Sequence, residues 1–203
     1  RHDSMQRKFG RMDMKLLDKI LIDAKEFGIE WIYLEFWGEP FLHPRFNDMV
    51  TKTSGLKFKT KVYTNGLLIK DKHMEIIPGN MDQVCFSIDG ASEETYSLNR
   101  IARNGKTGNF KRVWSKITKL NDLCAGTKTK VTWQFIVLSN NEHEIPKAKE
   151  MAKENNLQLV LKLFNPSVDT LISKNQEWIK LAHNKPCQAI YRQFGVLWNG
   201  DVV

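Results

Sequence analysis

The chain has 203 residues, 41% of them hydrophobic, and a formal net charge of +8. That length and apolar content suit one domain with a sizeable core and argue against a disordered chain. No apolar run approaches the ~20 residues needed to span a bilayer, and the three widely separated cysteines form no disulfide framework. A reducing, cytoplasmic setting is the simplest one. The basic residues crowd 57–61, 100–119, 128–130 and 174–185. Solvated helix faces explain them. Without interleaved aromatics they do not make a nucleic-acid groove, although the charge weakly favours an anionic partner.

In chain order, Asp13 is placed to cap a helix reaching about Phe27, with Leu16, Leu17, Ile20, Leu21, Ala24 and Phe27 as its apolar stripe and Gly28 at its end. Trp31 to Phe36 reads as a strand. Its alternation sets Trp31, Tyr33 and Glu35 against Ile32, Leu34 and Phe36, two largely apolar faces that predict a strand covered on both sides. A short helix over 46–53 and a strand over 59–63 follow. A helix capped by Asp71 ends at Pro78-Gly79-Asn80, and a third strand runs over 83–88. Ser92 with Glu93 and Glu94 opens the next helix. Asn109 caps another, striped by Phe110, Val113, Trp114, Ile117 and Leu120. A fourth strand (130–138), a helix with Pro146 in its first turn, and a fifth strand (158–164) complete the pattern. Strand and helix alternate about five times, which predicts an α/β fold with a parallel sheet and right-handed crossovers. Residues 166–186 read as a linker. Residues 194–203 read as a C-terminal β-hairpin turning at Asn199-Gly200.

Polar motifs fall at the carboxyl ends of these strands, where parallel sheets bind ligands. They are Gly38-Glu39-Pro40, Thr64-Asn65-Gly66, Ser87-Ile88-Asp89-Gly90 and Asn141-Glu142. Gly38 can adopt backbone angles closed to other residues, Pro40 stiffens the turn, and the Glu39 carboxylate suits an ammonium group. Each piece has a plainer reading. Asn65-Gly66 makes a turn, Ser87 bonds backbone, Asp89 caps a helix, Arg100 is a surface cation and Gln134 is structural. The histidines show no ligand spacing with one another or with cysteine, so a zinc site is not expected.

Taken together, the order and spacing of these motifs over about residues 12–165 resemble the radical S-adenosylmethionine (radical SAM) superfamily. The resemblance implies a partial (β/α)6 barrel of parallel strands, its first strand missing here, with residues 1–165 as a partial core. It implies S-adenosylmethionine (SAM) and a [4Fe–4S] cluster as cofactors. Reductive cleavage of SAM to a 5′-deoxyadenosyl radical would then abstract hydrogen from a peptide, protein or small-metabolite substrate. An electron donor such as a flavodoxin or ferredoxin is implied too. Carried over by position, Gly38, Glu39 and Pro40 match the motif that holds the SAM amino group, with Trp37 in place of a glycine. Thr64 and Asn65 match the element near the methionine end. Ser87 and Asp89 match the residues at the ribose and carboxylate region, and Arg100 matches a residue able to pair with the SAM carboxylate. Gln134, Asn141 and Glu142 match the later strand and loop, where roles vary.

One central feature is missing: the Cys-x3-Cys-x2-Cys loop that ligates the cluster occurs nowhere in these 203 residues. Arg1-His2-Asp3 and Phe9-Gly10-Arg11-Met12 resemble the stretch just after that loop. The chain is therefore expected to begin downstream of it and, alone, neither to assemble the cluster nor to cleave SAM. Residues 187–203 resemble the start of a SPASM or twitch extension, which would make Cys187 a ligand of an auxiliary iron–sulfur cluster. A free thiol is the open alternative. Two rivals stand beside this reading. One is a non-catalytic α/β binding module. The other is an iron-free barrel enzyme using Glu39, Asp89 and Arg100 for acid–base chemistry.

Overall fold

The computed structural model describes residues 9–35, 38–100, 108–163, 175 and 193–203. Five strands, β1 (Trp31–Tyr33), β2 (Lys59–Thr64), β3 (Gln83–Ser87), β4 (Lys130–Val137) and β5 (Gln158–Leu163), lie side by side in sequence order. Every neighbouring pair is parallel. Sequential order with helical crossovers is the layout of a barrel wall that stays open, as the alternation predicts. Helices α1 (Met14–Glu26), α2 (Phe46–Gly55), α3 (Asp71–Ile76), α4 (Glu93–Asn99), α5 (Phe110–Cys124) and α6 (Ile145–Glu154) complete it.

Local chemistry explains the ends of these helices. The Asp13 carboxylate accepts the Lys15 N–H, Ser92 accepts the Thr95 N–H and Asn109 accepts the Arg112 N–H. Asp71 is not a cap: it is the first residue of α3, and Lys70 occupies the cap position. There the His73 ring reaches back from the third helical position and accepts the Lys70 N–H at 3.1 Å. Phe27 leaves the expected stripe of α1. It lies beyond the last turn, 80% exposed, while Met14 takes a buried place at the other end.

The sheet has two unlike faces. On one, Val62, Val84, Phe86, Val131, Trp133, Phe135 and Val137 are buried against the apolar sides of α1, α2, α5 and α6. Trp114 adds an edge contact to Trp133 from α5, with ring centroids 4.9 Å apart. On the other face the alternation brings up Trp31, Tyr33, Lys61, Tyr63, Gln83, Cys85, Ser87, Thr132 and Gln134. The expectation that β1 is covered on both sides is therefore corrected. Trp31 and Tyr33 are 37% and 41% exposed, because the helices pack on the opposite face.

The tail forms the expected hairpin. Gly195 and Val203 exchange backbone hydrogen bonds of 2.8 and 2.9 Å, and Val196 pairs antiparallel with Val202. Gly200 makes the turn at φ +95°. The Trp198 ring packs over Gly10, where a side chain would collide with it.

Candidate active site at the strand ends

The carboxyl ends of β1 to β4 gather most of the expected residues. The short stretch after β1 enters a 3-10 turn, Pro40–Leu42, whose cap is Glu39. Gly38 just before it has φ +132°, a conformation that favours glycine. Glu39 reaches across to the end of β2, where its carboxylate accepts the Thr64 hydroxyl at 2.6 Å and the Asn65 N–H at 3.0 Å. It also accepts the Phe41 N–H at 3.5 Å. Thr64 in turn accepts the Gly66 N–H at 2.9 Å, and Asn65 Oδ1 accepts the Leu67 N–H. From α5, Lys116 Nζ donates to the carbonyls of Gly66 and Leu67. The Thr-Asn-Gly turn is thus tied from both sides. Burial raises the Glu39 carboxyl above its ordinary value, and bonds from Thr64, Asn65 and Phe41 pull against that rise.

A second cluster sits at the ends of β3 and β4. Asp89, 6% exposed, accepts the Ile136 N–H at 3.0 Å through Oδ1 and the Arg100 guanidinium at 2.5 Å through Oδ2. The same Arg100 nitrogen donates to the Ser87 carbonyl at 3.0 Å, while Arg100 Nε is buried without a partner. Burial raises the Asp89 carboxyl, and Arg100 and the Ile136 N–H oppose the shift. Arg100 is therefore no loose surface cation, and Asp89 does not cap α4; Ser92 does. Gln134 lies opposite Ser87 in register and donates to its hydroxyl at 3.5 Å. The Arg100 charge is also felt at Glu39, so the two clusters share one end of the sheet.

Asn141 holds this end rigid. Fully buried, it donates to the carbonyls of Asp89 and Ile136 and accepts the Leu138 N–H at 2.7 Å. Glu144 accepts the Ala91 N–H at 2.6 Å. Burial works to raise its carboxyl, but Ser92, the Ala91 N–H and Thr95 outweigh it and hold the group below its ordinary value. Trp37 and Cys187 lie outside the described residues.

Reading by residue type missed Glu35. Strand β1 ends at Tyr33, so the Tyr63 N–H has no ladder partner there; Glu35 Oε2 accepts it at 3.1 Å. Burial then pushes the Glu35 carboxyl up to about 8, against the opposing Tyr63 N–H and Lys61 charge. The available signal was an acid two residues past Tyr33 on the same strand face.

The residues fit the two expected cofactors differently. The strand ends offer a held carboxylate, a hydroxyl and an orphaned guanidinium N–H, a set suited to the amino, carboxylate and ribose groups of SAM. For the family's [4Fe–4S] cluster the described residues supply no ligand set. Among the described residues no group of three or more His, Cys, Asp or Glu side chains could hold a metal. Cys85 and Cys124 are buried, and burial raises both thiols, Cys124 to about 11.

Comparison with known proteins places these observations. The model of the radical SAM superfamily matches residues 2–168. A tungsten-containing aldehyde ferredoxin oxidoreductase cofactor-modifying protein of Pyrococcus furiosus is 29% identical over 170 residues, covering 82% of this chain and 44% of that protein. A probable GTP 3′,8-cyclase of Methanosarcina mazei is 24% identical over 165 residues, covering 80% of this chain and 47% of that protein. The chain thus spans less than half the length of these curated relatives. Among solved structures, Streptococcus suis SuiB bound to S-adenosylmethionine is 16% identical, with a TM-score of 0.66 over 94% of this chain and 43% of that one. Native anSMEcpe with bound AdoMet is 20% identical, with a TM-score of 0.64 over 81% and 48%. At such identities the structural likeness speaks for the fold.

Proposed function

The chain belongs to the radical SAM superfamily, and we propose that it is the part of a radical SAM enzyme that holds the cofactor at the carboxyl ends of β1 to β4. The observation that carries this reading is the Glu39 carboxylate fixed between Thr64 and Asn65 on the neighbouring strand end. A fixed acceptor at that place suits the SAM ammonium group. Thr64 and Asn65 set its position, with Gly38 and Pro40 shaping the approach. Ser87, Asp89 and Gln134 line the side toward the ribose and carboxylate. Arg100 is held through one terminal nitrogen by Asp89 and the Ser87 carbonyl, which leaves other guanidinium donors for the cofactor carboxylate. Bound SAM would supply the hydrogen-abstracting radical chemistry. The chain's own residues bind and orient it.

Substrate, electron donor and cellular setting belong to the same proposal. A peptide is the favoured substrate class, because two of the structural neighbours were solved with peptides, SuiB with a precursor peptide and anSMEcpe with one named Kp18Cys. A small metabolite is the second. The electron donor is a flavodoxin or ferredoxin, and the setting is cytoplasmic. No helix among the described residues is long and apolar enough to cross a membrane. Residues 187–203 are read as the start of a SPASM or twitch extension with Cys187 as a cluster ligand. The 203 residues alone, without the Cys-x3-Cys-x2-Cys loop, neither assemble the SAM cluster nor release 5′-deoxyadenosine.

Calorimetric titration with SAM tests the binding claim. Glu39→Gln keeps the shape but loses the charge, and its affinity is expected to fall about tenfold or more. Equal affinity in the native chain and Glu39→Gln would overturn the assignment. Anaerobic reconstitution followed by iron analysis tests the second claim, which robust SAM cleavage by this chain would refute.

A further inference from the structure

Among the described lysines on the open face of the sheet, Lys61 is the one set against two tyrosine rings. Lys59 pairs with Glu30 at 2.9 Å, Lys52 with Asp18, Lys119 with Asp71 and Lys128 with Asp82. Lys61 has no carboxylate within ion-pair distance among the described residues. Its Nζ lies 4.7 Å from the centre of the Tyr63 ring and 5.8 Å from that of Tyr33. Register places it between Tyr33 on β1 and Gln83 on β3, one pleat below the strand ends. Two aromatic walls hold the stem and orient the ammonium without neutralising it.

The neighbouring groups leave that charge uncompensated. Glu35 spends its carboxylate oxygen on the Tyr63 N–H, and burial keeps it protonated at neutral pH. Cys85, opposite Tyr63, is a thiol that burial also keeps neutral. Gln83, Thr132 and Gln134 add neutral donors and acceptors on the same face. Among the described residues, the surroundings of Lys61 are therefore polar and neutral around one positive charge, next to the end of the sheet where the cofactor is placed.

We propose that Lys61, set between the Tyr33 and Tyr63 rings, anchors a carboxylate or phosphate group of the substrate. The word substrate rests on the SAM-enzyme reading above; the anion site itself rests on the geometry of this face. A lysine ammonium is a compact point charge with three donors, so it serves either anion, with the tyrosine hydroxyls and the amides of Gln83 and Gln134 as further partners.

The test uses the whole chain labelled with 13C at lysine Cε. The Lys61 resonance is the one lost in Lys61→Gln. Inorganic phosphate and succinate are titrated separately, which distinguishes a phosphate from a carboxylate as the preferred group. At least one should move the Lys61 resonance saturably while the resonances of Lys52, Lys59 and Lys119 stay put. Its affinity by calorimetry should fall about tenfold in Lys61→Gln and be largely kept in Lys61→Arg. Equal shifts across the lysines, or unchanged affinity in a natively folded Lys61→Gln, would overturn the proposal. If Lys61→Gln does not fold, the native chain and Lys61→Arg decide by the same shifts, the resonance then being assigned from Lys61→Arg. Titrating the same samples with SAM separates the two readings. SAM binding without an anion effect overturns the Lys61 site alone. An anion effect without SAM binding supports Lys61 and overturns the cofactor assignment.

Discussion

At the scale of single residues, Glu35 ties structure to pH. Its carboxyl titrates near 8 in the fold and near 4.5 when unfolded. Between those values the folded chain binds the extra proton, so stability falls as pH rises through this window. The cost by pH 8 is on the order of 2–4 kcal/mol, after allowing for incomplete burial. Glu35→Gln should remove it, so denaturant melts of the variant and the native chain should diverge progressively from pH 5 to 8 in the variant's favour. Parallel curves would show that the native Glu35 carboxyl is not raised. Sequence reading assigned this residue a strand face and no role. Its importance comes from where β1 stops, a boundary that pairing sets and alternation alone does not. Glu39 was readable because glycine and proline bracket it, and such brackets impose a turn.

Among the elements, the β2–α3 connection shows how a turn can be over-determined. Gly66 has φ +75°, and a side chain there would lie 2.8 Å from the Phe86 ring and 2.9 Å from Val113. Gly66→Ala combines an unfavourable backbone with overpacking and should cost about 2–4 kcal/mol in a urea melt. A loss under 0.5 kcal/mol would mean that the turn relaxes freely. Sequence reading offered Asn65-Gly66 as a plain turn or as part of a cofactor site, and the structure gives it both a turn's geometry and a link to Glu39. Capping was legible at Asp13, Ser92 and Asn109, where a short polar side chain precedes an apolar stripe. It failed at Asp71, because the His73 ring does from inside the helix what a cap does from outside. Asn141 was legible only as part of a resemblance. Its work, joining the ends of β3 and β4, depends on strands far apart in sequence.

For the whole molecule, the alternation of strands and helices was enough to give the parallel order, since right-handed crossovers leave few other layouts. It was not enough to say that the described helices all pack on one face. Trp31 and Tyr33 look like core residues on paper, yet they sit on a wall that carries Lys61 and Gln83. The two faces should answer mutation differently. Val84→Ala and Ile117→Ala, both on fully buried side chains, should each cost about 2–4 kcal/mol. Gln83→Ala and Tyr33→Ala on the open face should each cost under about 1 kcal/mol. Denaturation midpoints check this, and equal losses on both faces would mean that the wall is itself a packed interior.

A sheet whose described helices pack on one side only has a consequence for how such a chain can change over generations. Residues that hold the domain together and residues free to meet a visitor alternate along the same strands, each turned away from the other. Drift at Lys61 or Gln83 can retune what that face meets while the helices keep their grip beneath it, so the surface can vary without first rebuilding the scaffold.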